Sequence, residues 1–207
     1  MMNNNYKKRV SINSNTLKWE ELKNKNVSKK ILSKEGIKET ALIKINKNAV
    51  KNDASSLINS VEIFVLEGTY VNEFGSFEKG TYLRLPKEKE KFVSSDSSCL
   101  IFRKKNYFSD NEKYIVNANT SFWSKGHGNL EVMGLGDHAA LVKWPKNERF
   151  VSHSHWGGEE IFVLSGMFID EHGSYEKGNW TRSPHLSKHF PYVEEETIIF
   201  VKTGHLL

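Results

Sequence analysis

Short apolar runs separated by glycine-rich turns occur along most of the chain, and one such pattern occurs twice. Residues 61–86 read VEIFVLEGTYVNEFGSFEKGTYLRLP, and residues 159–184 read EEIFVLSGMFIDEHGSYEKGNWTRSP. Fourteen of the 26 aligned positions are identical at a constant offset of 98 residues. Because this repeat is longer than a solenoid unit, we expect each copy to form a small domain of its own.

Within each copy, the hydrophobic pattern predicts β-strands. Apolar runs at 63–66 and 161–164 are each followed two positions later by a glycine, and further glycine turns lead to closing strands at 100–104 and 198–202. Runs of four to seven residues between Gly, Asn and Asp turns are typical of a sandwich or barrel. No long stretch with helical periodicity competes with this pattern, so the sequence predicts an all-β fold.

The repeat divides the chain into four segments. We expect a disordered polar tail at 1–15, a first barrel at 16–104, a polar connector at 105–120 and a second barrel at 121–207. The tail lacks the apolar core of a secretory signal, and no segment approaches the ~20 apolar residues of a membrane span. The single cysteine excludes an internal disulfide, which favours a reducing, cytoplasmic compartment. We therefore expect no membrane partner.

The charge pattern bears on the class of partner. The chain has 30 Lys and Arg against 25 Asp and Glu, a formal net charge of +5. The basic residues lie in short, scattered groups such as 7–9 and 103–105. No basic helix or aromatic-basic stripe stands out, so the sequence predicts no nucleic-acid partner.

The start of the second copy concentrates side chains with metal-binding chemistry. Residues 152–166 read SHSHWGGEEIFVLSG. In a β-strand, alternate residues share a face, which places His153 with His155, and Glu159 with Ile161 and Val163. Imidazole and carboxylate groups directed into an interior are costly to bury unless something compensates them. A divalent metal would do so.

The spacing of these residues resembles the first motif of the cupins, a family of β-barrel proteins. His153 and His155 are followed after three residues by Glu159, and Gly166 follows after six more. The opening glycine of that motif is not obvious in this chain.

Residues 178–193 resemble the second cupin motif. Gly178 precedes Pro184 by five residues, and His189 stands where the motif has its histidine. Leu186 and Val193 replace a glycine and an asparagine of the motif. Both are turn or structural positions, so the ligand positions are intact.

Over most of both copies, the sequence is more closely similar to the cupin domain of ChrR-type anti-sigma factors and their stand-alone relatives. The pattern EEIFVLSGxFxDExGxYxxGxWxRxP at 159–184 carries this resemblance. It implies two tandem jelly-roll-like cupin barrels in one chain. It also implies one divalent transition metal per chain, with the ligands His153, His155, Glu159 and His189. Three imidazoles and a carboxylate suit zinc or Fe(II) first, and Mn or Ni as well, because geometry rather than raw affinity selects the metal.

The first copy lacks all four ligand types. At the offset of 98, the corresponding residues are Ser55, Leu57, Val61 and Lys91. We therefore expect a degenerate first barrel without metal, although a pocket for another kind of ligand stays open there.

Two functions are compatible with the sequence. One is a small-molecule dioxygenase-like or related metal-dependent enzyme, whose substrate would be a compact enol or diketone. The other is a non-catalytic zinc-binding, ChrR-like sensing or regulatory module. The first 50 residues contain no Cys and no His, which argues against the separate zinc domain of an anti-sigma factor. No catalytic acid, base or nucleophile can be assigned, since candidate pocket residues such as Trp180 and Phe200 have no acid-base function. We expect a small-molecule partner, and the resemblance leaves a homodimer open.

Overall fold

The computed structural model describes residues 1–22, 26–47, 49–52, 58–89, 91–93 and 98–206. The chain divides into two compact units. The first unit comprises Met1–Asn4 and Lys18–Thr120, and the second comprises Asn5–Leu17 and Ser121–Leu207. Apart from a 3-10 turn at Ser14–Thr16, the regular elements of the described residues are all β-strands. The predicted all-β fold class is confirmed.

The first unit contains a large sheet and a smaller one. Numbered along the chain, with β1 at Val10–Asn13, its strands are β2 (Glu20–Glu21), β3 (Val27–Glu35), β4 (Lys38–Ile45), β5 (Val50–Asn52), β6 (Ile58–Glu67), β7 (Thr69–Asn72), β8 (Gly75–Glu78), β9 (Thr81–Lys89), β10 (Lys91–Val93), β11 (Cys99–Lys105) and β12 (Tyr114–Asn117). The large sheet has the order β12-β9-β6-β11-β4-β3-β2, and the smaller has the order β5-β10-β7-β8.

The second unit repeats this architecture. Besides β1, its strands are β13 (Ser124–Lys125), β14 (Glu131–Gly136), β15 (Ala139–Trp144), β16 (His153–Ser154), β17 (Glu159–Ser165), β18 (Met167–Asp170), β19 (Gly173–Glu176), β20 (Asn179–Ser183), β21 (Lys188–His189) and β22 (Thr197–Thr203). The large sheet has the order β1-β20-β17-β22-β15-β14-β13, and β16 pairs with β21 while β18 pairs with β19. The two large sheets match strand for strand, as expected for two tandem barrels encoded by a repeat.

Alternation along the strands builds a separate core in each unit. In β6, Val61, Ile63 and Val65 are at most 1% exposed and lie in the core of the first unit. At the matching positions of β17, Ile161 and Val163 lie in the core of the second unit. This is the period of two that the sequence pattern predicts for a strand.

The N-terminal residues differ from the disordered tail expected at 1–15. β1 pairs antiparallel with β20 of the second unit, with Val10 opposite Arg182 and Asn13 opposite Asn179. Four residues are too few for a sequence pattern to predict this strand. Its pairing is not predicted either, because the partner edge lies about 170 positions away in sequence.

Polar side chains anchor this N-terminal strand at a glycine turn. Ser14 Oγ donates to the carbonyl of Gly178 at 2.6 Å, and Asn15 Nδ2 donates to the carbonyl of Lys177 at 2.9 Å. Asn119 Nδ2 donates in the same way to the carbonyl of Lys79. The expected connector at 105–120 thus contributes β12 and its anchor to the first unit.

Within the described ranges, no helix has the length and hydrophobicity needed to cross a lipid bilayer.

Candidate metal centre

Two sheets of the second unit position the predicted ligands. His153 and His189 face each other as a register pair between β16 and β21. Glu159 is the first residue of β17 in the large sheet, and His155 lies in the turn between β16 and β17. The four residues, called the ligand cluster below, therefore meet between the small strand pair and the large sheet.

Gly157 and Gly158 explain how the chain passes from one sheet to the other. Their φ angles are +69° and +74°, a region that side chains with a Cβ rarely adopt. A Cβ on Gly157 would lie 2.6 Å from the backbone of Gly204, and one on Gly158 would lie 2.7 Å from the carbonyl oxygen of Ser183. The strand therefore does not run on from His153, and the two glycines turn it.

Distances between neighbouring residues of the ligand cluster are close to those between two ligands of one metal ion. The Nε2 atoms of His153 and His189 are 3.1 Å apart. Glu159 Oε1 lies 3.3 Å from His155 Nε2, and Glu159 Oε2 lies 3.6 Å from His189 Nε2. Two atoms bound to one metal at ~2.1 Å lie ~3.0 Å apart at a right angle and ~3.4 Å apart at the tetrahedral angle. In the described part of the chain, the three imidazoles form a set whose ligand atoms all lie within 4.8 Å of one another, and Glu159 is outside this set.

His153 is held in an orientation suited to a metal ligand. Its Nδ1 lies 3.0 Å from the carbonyl oxygen of Val151. A carbonyl can only accept, so Nδ1 carries the proton and Nε2 directs its lone pair towards the cluster. Burial lowers the pKa of His153, which favours the neutral imidazole that a metal requires.

His155 and Glu159 form a hydrogen-bonded pair. The hydrogen bond to Glu159 raises the pKa of His155 above its ordinary value. Burial alone would raise the pKa of Glu159, but the hydrogen bond from His155 and the charges of His189 and the other imidazoles outweigh it and lower that pKa. The buried carboxylate is therefore an anion facing imidazoles, and it supplies negative charge where a cation would bind.

The ligand cluster lies on the wall of a cavity of about 210 Å³. The other walls are mainly apolar. Besides the ligand cluster, the lining residues are His127, Leu130, Val132, Val142, Trp144, Phe150, Phe168, Pro191, Ile199, Val201 and Thr203.

The aromatic residues of the cavity differ from the candidates named from the sequence. Trp180 is fully buried, and neither it nor Phe200 lines the cavity. In β22, the side chains that line the cavity are those of Ile199, Val201 and Thr203, so alternation places Phe200 on the other face. His127, which has no recognisable ligand spacing in the sequence, lies at the cavity with its ring 4.9 Å from that of Phe150.

Leu186, where the cupin motif has a glycine, adopts the conformation that a glycine would favour. Its φ is +56°, and its side chain is 52% exposed. Leu186 N donates to the carbonyl of His155, so this turn supports the loop that carries a ligand.

The first unit has an apolar residue where the second has its carboxylate. Val61, which corresponds to Glu159, is fully buried among apolar side chains. Ser55 and Leu57 lie outside the described residues, as does the side chain of Lys91. The expectation of a metal-free first barrel therefore rests on Val61 and on the sequence.

Comparison with known protein families gives a match over nearly the whole chain. A family model described as the ChrR cupin-like domain matches residues 7–109 and again residues 111–207. No curated protein matches the chain.

Several solved structures are similar at low sequence identity. A candidate dioxygenase from Nostoc punctiforme is 14% identical with a TM-score of 0.76, over 97% of this chain and 84% of that chain. A candidate glyoxylate-induced protein from Pseudomonas aeruginosa is 9% identical with a TM-score of 0.74, over 94% and 88%. A bacterial pirin from Escherichia coli, solved in complex with nickel(II), is 10% identical with a TM-score of 0.65, over 97% and 100%. At these identities the likeness shows the fold alone.

Proposed function

The chain belongs to the ChrR cupin-like family, and from the chemistry of its second repeat we propose that it is a metal-dependent, dioxygenase-like enzyme acting on a small molecule. The observation that carries this proposal is the convergence of three imidazoles and a buried carboxylate on an apolar cavity. Such a donor set, at metal-ligand spacing and beside space for a second molecule, is typical of an open catalytic metal site.

Three residues of the ligand cluster show how it would hold one divalent ion. His153 is oriented through its Nδ1 by the Val151 carbonyl, and Glu159 offsets part of the charge of the cation. His189 and Glu159 are 3% and 7% exposed at their side chains, so the packed interior holds them in place. Fe(II), when bound, would supply the reaction with dioxygen, whereas zinc has no redox chemistry.

The cavity indicates the class of substrate. Its volume of about 210 Å³ is below the ~300 Å³ at the lower end for pockets that hold drug-sized ligands. Apolar walls exclude water and favour a compact apolar body, while the ligand cluster favours oxygen donors at one end. A small enol or 1,3-diketone has both features. The candidate dioxygenase from Nostoc punctiforme, similar in fold, supports this class of reaction.

A zinc-binding sensing or regulatory module is the second candidate function. The observation that favours it is the family match itself, because that family is described by its likeness to ChrR. In this case the same ligand cluster would hold zinc, and the cavity would bind a signal molecule without turnover.

Oxygen consumption separates the two functions. Protein freed of metal would be loaded anaerobically with one equivalent of Fe(II) or zinc, and oxygen uptake measured with small enols and 1,3-diketones. We expect substrate-dependent uptake with Fe(II) and none with zinc, and none with Glu159→Ala. Stoichiometric zinc in the purified protein, with no uptake in the Fe(II) form, would exclude the dioxygenase and favour the regulatory module.

Metal affinity is expected to fall as the pH drops below neutral. A proton competes with the metal for each imidazole, and the hydrogen bond to Glu159 makes His155 bind its proton more tightly than an ordinary histidine. Below the raised pKa of His155, the affinity should fall about tenfold per pH unit for each proton displaced. Competition with a chromophoric chelator between about pH 5.5 and 8 measures this slope.

The stability of the metal-free protein should also depend on the protonation of His155. Because the folded state raises the pKa of His155, this group stabilises the fold fully below the pKa of an unfolded histidine, about 6.5. That contribution is lost as the pH rises through the folded value. A metal affinity that does not change between about pH 5.5 and 8 would contradict the assignment of His155 as a ligand.

A further inference from the structure

Asp170, at the end of β18, lies behind His189 as seen from the ligand cluster. Its Oδ2 lies 3.9 Å from His189 Nδ1, the ring nitrogen opposite the one that faces the ligand cluster. The side chains are 1% and 3% exposed. Among the described residues, no acceptor lies within hydrogen-bond distance of that Nδ1. A buried ring nitrogen of this kind normally donates to a carboxylate or carbonyl when the other nitrogen binds a metal.

Three groups hold Asp170 in this position. Arg9 Nη1 donates to Oδ2 at 3.0 Å, Tyr175 Oη donates to Oδ1 at 3.0 Å, and His172 N donates to Oδ1 at 2.8 Å. Burial would raise the pKa of Asp170, but the nearby His189 imidazole, the hydrogen bond from His172 N and the charge of Arg9 lower it to about 2. Asp170 is thus an anion that is fixed on both oxygens.

The first unit shows that the local turn does not need this charge. Asn72 stands at the position of Asp170, and its Oδ1 accepts from Phe74 N at 2.8 Å, the same contact that His172 N makes in the second unit. An amide oxygen is therefore sufficient for the turn.

The partners of the carboxylate change together with the ligand cluster. Phe77 replaces Tyr175, so the phenol that donates to Asp170 is lost. Lys113, one residue before β12 as Arg9 is before β1, lies with its Nζ 3.9 Å from the ring of Phe74. The carboxylate and both of its side-chain donors thus occur where the metal ligands occur and are absent from the described copy that lacks Glu159.

We propose that Asp170 is a positioning residue for His189, and that Arg9 of the N-terminal strand fixes Asp170 for this role. With a metal bound, Asp170 would accept a hydrogen bond from His189 Nδ1 once the present 3.9 Å separation shortens. That bond would keep the lone pair of Nε2 directed at the metal and increase the basicity of this ligand. The first strand of the chain then contributes to the metal centre of the second unit. This inference rests on the proposed metal binding and adds two residues to it.

The test compares metal affinities of matched variants. Metal-free protein would be titrated with Zn(II) or Co(II) against a chromophoric chelator. Asp170→Asn keeps the acceptor that suffices at Asn72, so it should fold, yet we expect its affinity to fall about tenfold to a hundredfold. Tyr175→Phe and Arg9→Met should each give a smaller loss. Lys8→Met, which removes one charge from the neighbouring exposed residue, should bind like the unchanged protein.

A second readout separates positioning from a structural role. Nitrogen-15 spectra of the zinc-loaded protein report whether the proton on His189 Nδ1 is held by a hydrogen bond. We expect a slowly exchanging Nδ1 proton in the unchanged protein, and a rapidly exchanging one in Asp170→Asn, which keeps the acceptor of the turn. If Asp170→Asn lowers the melting temperature but binds metal as tightly as the unchanged protein, the positioning role is excluded while metal binding stands. If the unchanged protein binds no metal at all, the proposed function fails first, and this inference fails with it.

Discussion

Replacing His189 with alanine is expected to remove stoichiometric metal from the protein. His189 is a central member of the ligand cluster, since its Nε2 lies 3.1 Å from His153 Nε2 and 3.6 Å from Glu159 Oε2. Loss of an outer partner of a ligand typically costs about tenfold to a hundredfold in affinity, so loss of a ligand should cost more than a hundredfold. Elemental analysis of the purified variant, together with chelator competition, measures the effect.

Two further variants keep this result interpretable. His172→Ala removes an exposed imidazole of the same unit that lies outside the ligand cluster, and it should retain one metal per chain. His155→Ala removes a ligand whose side chain is 32% exposed, so it should lose the metal with little cost to the fold. Metal retained in full by both His189→Ala and His155→Ala would show that the ion binds elsewhere.

Replacing Val61 with glutamate is expected to destabilise the first unit by about 4 kcal/mol at neutral pH. Val61 is fully buried in an apolar core, whereas Glu159 at the matching position faces His155 and His189. A carboxylate buried without partners can have its pKa raised by ~3 or more, and each pKa unit corresponds to ~1.4 kcal/mol. Denaturant unfolding of the first unit measures the loss of stability.

The pH dependence of this variant distinguishes charge burial from poor packing. Because the folded state would raise the pKa of the introduced carboxyl, the loss of stability should be smallest below the unfolded pKa of ~4.3 and should grow as the pH rises above it. Val61→Ala removes packing at the same position without adding a charge, with an expected loss of about 2 kcal/mol and no such pH dependence. If Val61→Glu instead behaves like Val61→Ala at all pH values, the interior of the first unit offers the carboxylate a polar partner.

The repeat allows most of the fold to be predicted from sequence. Each copy encodes its strands through alternation and its turns through glycine, as in the matched runs that became β6 and β17. The cupin spacing also predicted that His153, Glu159 and His189 lie together. The structure brings each of them within 3.6 Å of another residue of the ligand cluster. Local pattern and short-range spacing were sufficient for these features.

The role of the N-terminal strand could not be predicted in this way. β1 finds its partner edge on β20, and nothing in four residues encodes a pairing over such a separation. A signal does exist in the stretches INSNT at 12–16 and VNANT at 116–120, which resemble each other at an offset of 104 rather than 98. In both, the second asparagine donates to a lysine carbonyl of a glycine turn, at Lys177 and Lys79.

The cavity walls were the other feature that the sequence did not settle. Trp144 and Phe168 lie in the core of the second unit and line the cavity, while Trp180 does not. The face that a strand residue occupies depends on register, and a shift of one position reverses it. The bulge of β17 against β22, between Val163 and Ser165, is such an irregularity, and the sequence pattern alone does not locate it.

Anomalous diffraction from a crystal of the metal-loaded protein would test the metal centre most directly. Data collected on both sides of the absorption edge of the metal locate the ion without assumptions about its ligands. We expect one peak per chain, in the second unit, at ~2.0–2.3 Å from the Nε2 atoms of His153, His155 and His189 and from an oxygen of Glu159. A peak in the first unit, or no peak near this cluster in protein that carries stoichiometric metal, would contradict it.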